Sequence, residues 1–504
     1  MVQILKQEYI RMASHGALSQ RGIELVTKSD RRRMSMFHAL GLDAQSPEQV
    51  PAGKFGRIFE GLPIYEPTNN AIRQVAETMR EDDAAANEST IPLGFAFLGQ
   101  FIDHDVTFDP ISRLDDRLDP DAIRNFRTPA LDLDSVFGDG PDASRHLYDT
   151  VGGNPKSEHR LPFRLLTDTA KNDFDLPRNR QGTAIIGDPR NDENLLISQV
   201  HRAFLGFHNE VVKYLLSKAD GNPPGNKDLF EEARNLVTLH YHWIVLHEFL
   251  PHIAGTSVTN DVIVNGRQFF KWEERSDRPF IPVEFGGAAY RFGHTLIRET
   301  YNLNAATQGI ELFKLPFFGT CPNGDCGEDG GPSTNYNLDW SYFFDFGNHD
   351  NLQFCRRVDA KIAKPLFDLP FIHRGEDPPA SLPERNMRRA RTLKLPAGQD
   401  VADAMGITPL DNATLGINEI DGLGGKAPLW FYILKESGLT GDPGGEHLGP
   451  VGGRIVAETI VGMIDVVREE ILAPHDPQDW TPTLPDRAGN IGSFTMADLV
   501  AFRA

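Results

Sequence analysis

The sequence predicts a mainly α protein, one large helical domain of 504 residues with little β structure. Three observations carry that expectation. Long segments repeat apolar residues every three or four positions, the period of an amphipathic helix. Alternation of apolar and polar residues, the mark of a half-buried strand, is short and rare. The connections at 321–339, 375–384 and 438–453 are long and rich in Gly and Pro. Irregular loops of that length over a helical core suit a large enzyme better than a bundle.

In chain order, GFAFLGQFIDHDV (94–106) reads as a buried helix. GDPRNDEN (187–194) reads as a helix start, with Asp188 as cap and Pro189 at the first helical position. Residues 198–218 and 227–250 form amphipathic helices, the second stopped by Pro251. VIVNGRQFF (262–270) alternates and reads as a hairpin. VEFGGAAYRFGHTLI (283–297) places His294 in an apolar helix, and 454–473 is a long helix stopped by Pro474. No repeat or low-complexity linker marks a boundary. Residues 1–504 are therefore read as one domain, with 1–60 as an N-terminal extension and a catalytic core from about 90 to 475.

A net charge of -20 argues against nucleic acid or an anionic membrane as partner, since both need a basic surface. A monomer is expected. No run of about 18 apolar residues is present, so no membrane span is expected. Residues 1–22 carry scattered charges and no continuous apolar stretch, so a signal peptide is not expected either. Location stays open between unconventional export and the cytoplasm. Cys321, Cys326 and Cys355 are too few for a disulfide framework and read as free or buried thiols.

The polar residues of the first helix need an explanation, because an unpaired buried carboxylate costs several kcal/mol. At about 100° per residue, Asp103 and His104 fall within a roughly 100° arc around Gln100, while Asp105 points elsewhere. The segment thus carries a three-membered polar face and a separate carboxylate. In the second segment, Arg190 and Glu193 are i,i+3 neighbours, which alone fits an ordinary ion pair. In the third, His294 follows Gly293 and lies three residues after Arg291, which alone fits a core histidine. Together the segments point to a pocket for a flat macrocycle such as haem. His294 would ligate its iron, guanidinium groups would hold its propionates, and a base and a cation would occupy the other face.

QFIDHD, Arg-x-x-Glu followed by His201 and HNE, YRFGHTLI and NMRRAR run in order from Gln100 to Arg391. With these motifs the chain resembles the animal-type haem peroxidases of the peroxidase–cyclooxygenase superfamily. YHWIVLHEFLP and the C-terminal WTPTLP and FTMADL look most like bacterial members. The resemblance implies a helical fold with the haem buried between central helices. It implies reduction of hydrogen peroxide through a ferryl–porphyrin radical, and oxidation of a small electron donor such as a phenol, a halide or thiocyanate.

Carried over by position, His104 resembles the distal histidine, base and then acid towards peroxide. Arg190 would stabilise charge as the O–O bond breaks, with Gln100 beside them. His294 resembles the proximal iron ligand, its other ring nitrogen donating to Asn386. Arg291 and Arg389 match propionate-binding positions. Asp103 and Glu193 match the carboxylates that form ester links to haem, and an ester faces an apolar pocket without the cost of burying an anion. Where myeloperoxidase has methionine, this chain has Asn194, so no sulfonium link forms. Asp105 matches a calcium ligand, joined by Thr128, the carbonyl of Ala130, Asp132 and Asp134, an all-oxygen set suited to a hard cation.

Two other functions fit less well. A fatty-acid dioxygenase of the cyclooxygenase branch would place its radical-forming tyrosine where Arg291 stands, and Tyr290 is one residue early. A silent calcium- or haem-containing adhesion protein would be expected to lose His104 or Arg190. His240, His242 and His247 lack the HExxH spacing of a zinc protease and read as structural.

Overall fold

The computed structural model describes residues 53–82, 87–107, 124–125, 129–148, 175–179, 182–219, 226–274, 279–316, 336–370, 372, 379–473 and 476–503. The fold is mainly α, as the periodicity indicates. Its principal helices are α1 (Asn69–Thr78), α2 (Gly94–Val106), α3 (Leu195–Lys218), α4 (Asn226–Ile244), α5 (Leu250–Ala254), α6 (Thr256–Asn265), α7 (Leu382–Thr392), α8 (Leu429–Ser437) and α9 (Pro450–Leu472).

The described strands make three small sheets. β1 (Gly53–Gly56) pairs antiparallel with β3 (Arg124–Asn125) and parallel with β4 (Ile281–Pro282). β2 (Glu88–Pro92) pairs antiparallel with β7 (Phe354–Arg356), and β5 (Thr300–Tyr301) with β6 (Ile310–Glu311). None is wide enough to organise the core, so the helices do.

Helix α2 is the central element because ten of its 13 residues are buried, most of them apolar. Phe101 stacks on Phe204 of α3, with ring centroids 4.6 Å apart and planes 8° apart, and meets Tyr241 of α4 edge-on at 6.2 Å. Burying one such ring contributes about 1.5–3 kcal/mol. At its start, the chain must pass against Phe344. A Cβ on Gly94 would lie 2.4 Å from that ring, so only glycine allows the approach. Docked this way, α2 is held by α3 and α4 through Phe101, and turns Gln100, Asp103 and Thr107 to a cavity.

Two elements differ from the sequence expectation. Pro251 does not stop α4. Five residues of π-helix, Val245–Phe249, follow it and lead straight into α5, with Pro251 in the first turn of α5. Proline is tolerated there because a first-turn N–H has no intrahelical acceptor in any case. The expected hairpin at 262–270 is also absent. The chain remains helical to Asn265 and turns at Gly266 (φ 80°). The backbone N–H groups of Gln268, Phe269 and Phe270 then donate to the buried carboxylate of Glu458 at 2.7–2.9 Å. A side chain of α9 thus satisfies donors that a partner strand was expected to take.

The expected helix around His294 is also broken. A short α-helical turn, Val283–Gly287, gives way at Ala288 to a 3-10 helix, Ala289–His294. Cys355 is buried, and burial pushes its thiol up to about 12, so it is a packing residue. Cys321 and Cys326 lie outside the described residues. No helix among the described residues is long and apolar enough to cross a membrane.

Candidate active site

One cavity is lined by Gln100, Asp103 and Thr107 from α2, by Arg190, Glu193 and Asn194, and by Arg291, Gly293, His294 and Arg389. Most of the remaining wall is apolar, including Phe95, Phe97, Phe292, Leu366 and Leu382. Seven of the site residues expected from sequence therefore line one cavity. His104 and Asn386 are not among the lining residues; Asn386 contacts the lining residues His294 and Arg291, and His104 lies on α2 between the lining residues Asp103 and Thr107. His104 belongs to the same helix face as Gln100 and Thr107, with its side chain almost wholly buried.

A short 3-10 turn, Pro189–Asp192, brings the second segment against α2. Asp188 caps it, accepting from the Arg190 N–H at 2.8 Å, and Pro189 opens it. The same carboxylate, fully buried, holds the Arg190 guanidinium through Nη2 at 2.8 Å and Nε at 3.2 Å. Arg190 Nη2 also donates to the backbone carbonyl of His104 at 2.9 Å. At the far end, Arg178 bridges Asp175 and Asp192 at 2.7 Å each, pinning the turn. Asn194 then caps α3 by accepting from the Ile197 N–H.

Next in that turn, Asn191 is fully buried between two imidazoles. Its Oδ1 lies 2.7 Å from His104 Nδ1, and its Nδ2 lies 2.9 Å from His201 Nδ1. Asn191 was invisible in the sequence, where it is one polar residue among several. Asp188 was read only as a cap, and its hold on the Arg190 side chain was missed.

The electrostatics follow from burial. Glu193 accepts a short hydrogen bond from the Gln100 amide. Desolvation nevertheless pushes its carboxyl up to about 8, against the lowering effect of Arg190. It is thus largely neutral at pH 7, as the apolar wall requires. Arg291 is lowered to about 10, first by burial and then by repulsion from Arg389. Two guanidinium groups crowded at one cavity favour anionic groups on whatever binds there.

His294 Nδ1 lies 2.8 Å from Asn386 Nδ2, while Asn386 Oδ1 accepts from Arg291 Nη1 at 3.4 Å. As placed, the amide donates to the ring, the reverse of the expected direction. Turning it by 180° makes the ring the donor and frees Nε2 of its proton, the form a metal ligand requires, but sets Nδ2 against the Arg291 Nη1 donor and forfeits that contact. A Cβ built on Gly293 would meet nothing within 4 Å, so space lies open next to this histidine.

On the other side of α2, carboxylate oxygens of Asp105, Asp132 and Asp134 lie within 4.8 Å of one another. Asp105 also accepts from Ser135 Oγ at 3.1 Å and from the Leu133 N–H at 3.2 Å. Leu133 has φ 58°, a left-handed backbone that a branched side chain rarely adopts, so tertiary contacts must impose it. His242 supplies one of them, its Nε2 donating to the Leu131 carbonyl at 2.6 Å. Ala130 is buried beside this loop, and Thr128 lies outside the described residues. His240 bridges the Leu236 carbonyl and the Leu484 N–H, and His247 packs on Trp243, both contacts being structural.

Residues 111–317 match the family model described as animal haem peroxidase. Over that stretch the chain is similar to the animal haem peroxidases. The matched stretch contains Arg190, Glu193, Arg291 and His294, while Gln100–Asp105 and Asn386–Arg389 lie outside it. Among relatives, a peroxidasin homologue of Caenorhabditis elegans is 29% identical over 187 residues, 34% of this chain and 13% of that protein. A chorion peroxidase of Drosophila melanogaster is 26% identical over 291 residues, 56% of this chain and 34% of that protein. The aligned stretches thus span well under half of these relatives.

Likeness of fold extends further than those alignments. Peroxidase A of Dictyostelium discoideum superimposes with a TM-score of 0.56 at 13% identity, covering 82% of this chain and 87% of that one. A fatty acid alpha-dioxygenase of Oryza sativa does so with a TM-score of 0.52 at 14% identity, covering 82% and 78%.

Proposed function

We propose that this domain binds haem in the cavity and reduces hydrogen peroxide at the expense of a small electron donor. The observation that carries the reading is the gathering of His294, two crowded arginines, a neutral carboxyl and Arg190 around one largely apolar cavity. That set fits haem. The open space beside Gly293 admits a flat ring edge next to His294, which would ligate the iron, while Arg291 and Arg389 would take the propionates. Asp103 and Glu193 would form the ester links. When bound, the haem supplies the electrons that reduce the peroxide.

The protein side of the reaction is proton handling. With Nδ1 committed to Asn191, His104 carries its lone pair on Nε2, which takes a proton from peroxide and returns it to the departing oxygen. Arg190, fixed by Asp188, offers positive charge where the leaving oxygen develops negative charge. Gln100, tied to Glu193, orders the same wall. Calcium would bind Asp105, Asp132 and Asp134, with Thr128 and the Ala130 carbonyl completing the set, and would anchor the helix that carries His104.

The dioxygenase reading has weaker support, although Tyr290 lines the cavity. Its hydroxyl donates to the Gly99 carbonyl at 3.1 Å and its ring stacks on Phe285. The deciding experiment records the Soret band of haem-loaded protein before and after one equivalent of hydrogen peroxide. A band that drops and recovers on adding a phenol is the expected result, with the drop lost in His104→Gln. Failure to bind haem, or a band indifferent to peroxide, would overturn the proposal.

A further inference from the structure

We infer that Asn191 is the positioning residue that sets the tautomer of His104, with His201 in turn orienting the amide of Asn191; the inference rests on the peroxidase reading for its chemical consequence. A neutral imidazole has one donor and one acceptor nitrogen, and a general base must present the acceptor to its substrate. Which nitrogen that is depends on what the other one touches. Here His104 Nδ1 faces Asn191 Oδ1, an atom that can only accept, so Nδ1 carries the proton and Nε2 the lone pair.

An amide can rotate and offer its nitrogen instead. His201 ties that rotation to its own tautomer, because its Nδ1 lies 2.9 Å from Asn191 Nδ2, and that nitrogen can only donate. Reversing the amide would set its oxygen against His201 and its nitrogen against the His104 proton, forcing both rings to change tautomer together. All three side chains are at most 1% exposed, so water offers little substitute for a lost partner. The relay runs His104 Nδ1–H to Asn191 Oδ1, then Asn191 Nδ2–H to His201 Nδ1.

The backbone makes the same residue the natural choice. Asn191 follows Arg190 on a turn fixed by Asp188 at one end and by Arg178 through Asp192 at the other. Arg190 holds the His104 carbonyl and Asn191 holds its ring. One rigid turn therefore places the cation and orients the base.

The test uses protein labelled with ¹⁵N at histidine, without haem, and assigns His104 by its loss in His104→Gln. A neutral ring protonated at Nδ1 is expected in the wild type, and loss of that preference in Asn191→Ala. In haem-loaded protein, Asn191→Ala should retain the resting Soret band but react with peroxide at least about tenfold more slowly, a part of the usual general-base contribution. Cyanide, which also delivers a proton on binding, should associate more slowly in the same variant. A wild-type His104 protonated at Nε2 overturns the inference, and that spectrum decides the matter even if Asn191→Ala does not fold. An unchanged tautomer and peroxide rate in Asn191→Ala overturns it too. If the tautomer shifts as expected while the wild type ignores peroxide, the positioning role stands and the peroxidase reading falls.

Discussion

Replacing Glu193 by glutamine in the haem-free protein is expected to flatten its dependence of stability on pH. The folded state raises this carboxyl from 4.5 to about 8, chiefly by desolvation. The favourable protonated form is complete below pH 4.5, where the unfolded chain is protonated too. Stability is then lost as pH rises through the folded value of about 8 and is constant above it. A rise of about 3.5 corresponds to about 5 kcal/mol at most, at roughly 1.36 kcal/mol per pH unit. Solvent in the open cavity screens part of this, leaving about 2–3 kcal/mol. The replacement amide keeps the shape and the contact with Gln100 but has no proton to lose.

Urea unfolding at pH 5 and pH 9 measures the difference. Glu248 and Glu436, each raised to about 7, and Asp359 and Asp465, each raised to about 6, bend both profiles in the same direction. They cancel when the variant is subtracted from the wild type. The wild type should lose about 2–3 kcal/mol more than Glu193→Gln between these pH values. Parallel profiles would refute the claim that the half-buried Glu193 is held neutral.

Other expectations follow from the same geometry. Asp103→Val combined with Glu193→Gln should release haem into acidified organic solvent, whereas the wild type retains it; retention by the double variant would sink the ester assignment. Chelating divalent cations should lower the melting temperature by several degrees, the scale expected when about 2.7 kcal/mol of ligand stabilisation is lost. Asp132→Asn should be insensitive to the chelator, and equal sensitivity would refute a cation at Asp105, Asp132 and Asp134. Arg291→Tyr should yield no oxygenated linoleate, as mass spectrometry of the products would reveal. Phe101→Ala should cost about 3–5 kcal/mol by undoing the stack on Phe204, read from the urea midpoint.

Much of this arrangement is legible in the sequence because it is written in helical period. Of the arc expected for Gln100, Asp103 and His104 on α2, the first two line the cavity and His104 does not, while the cap at Asp188 forms as its spacing suggests. Contacts between segments distant in sequence are not written there. The hold of Asn191 on His104 spans 87 positions, and that of Glu458 on Gln268 spans 190. Local pattern also misleads when a remote side chain supplies the hydrogen bonds. Residues 262–270 alternate like a strand, yet the helix runs on to Asn265, Glu458 takes the donors of Gln268, Phe269 and Phe270, and no hairpin forms. Pro251 reads as a stop because a linear pattern cannot foresee a π-helical segment that absorbs it.

The turn at 188–193 has a consequence for how this site can change. Six consecutive positions divide among themselves the clamp, the bend, the cation, the orienting amide, the anchor and the carboxyl on the cavity wall. In a 3-10 turn each residue advances by about 120°, so inserting or deleting one residue would hand every task to the wrong side chain at once. The segment behaves as a cassette that is kept or replaced whole. Variation in what the cavity accepts, by contrast, has room to arise on its apolar lining, where Leu366, Leu382 and Phe97 can be exchanged singly without disturbing that register.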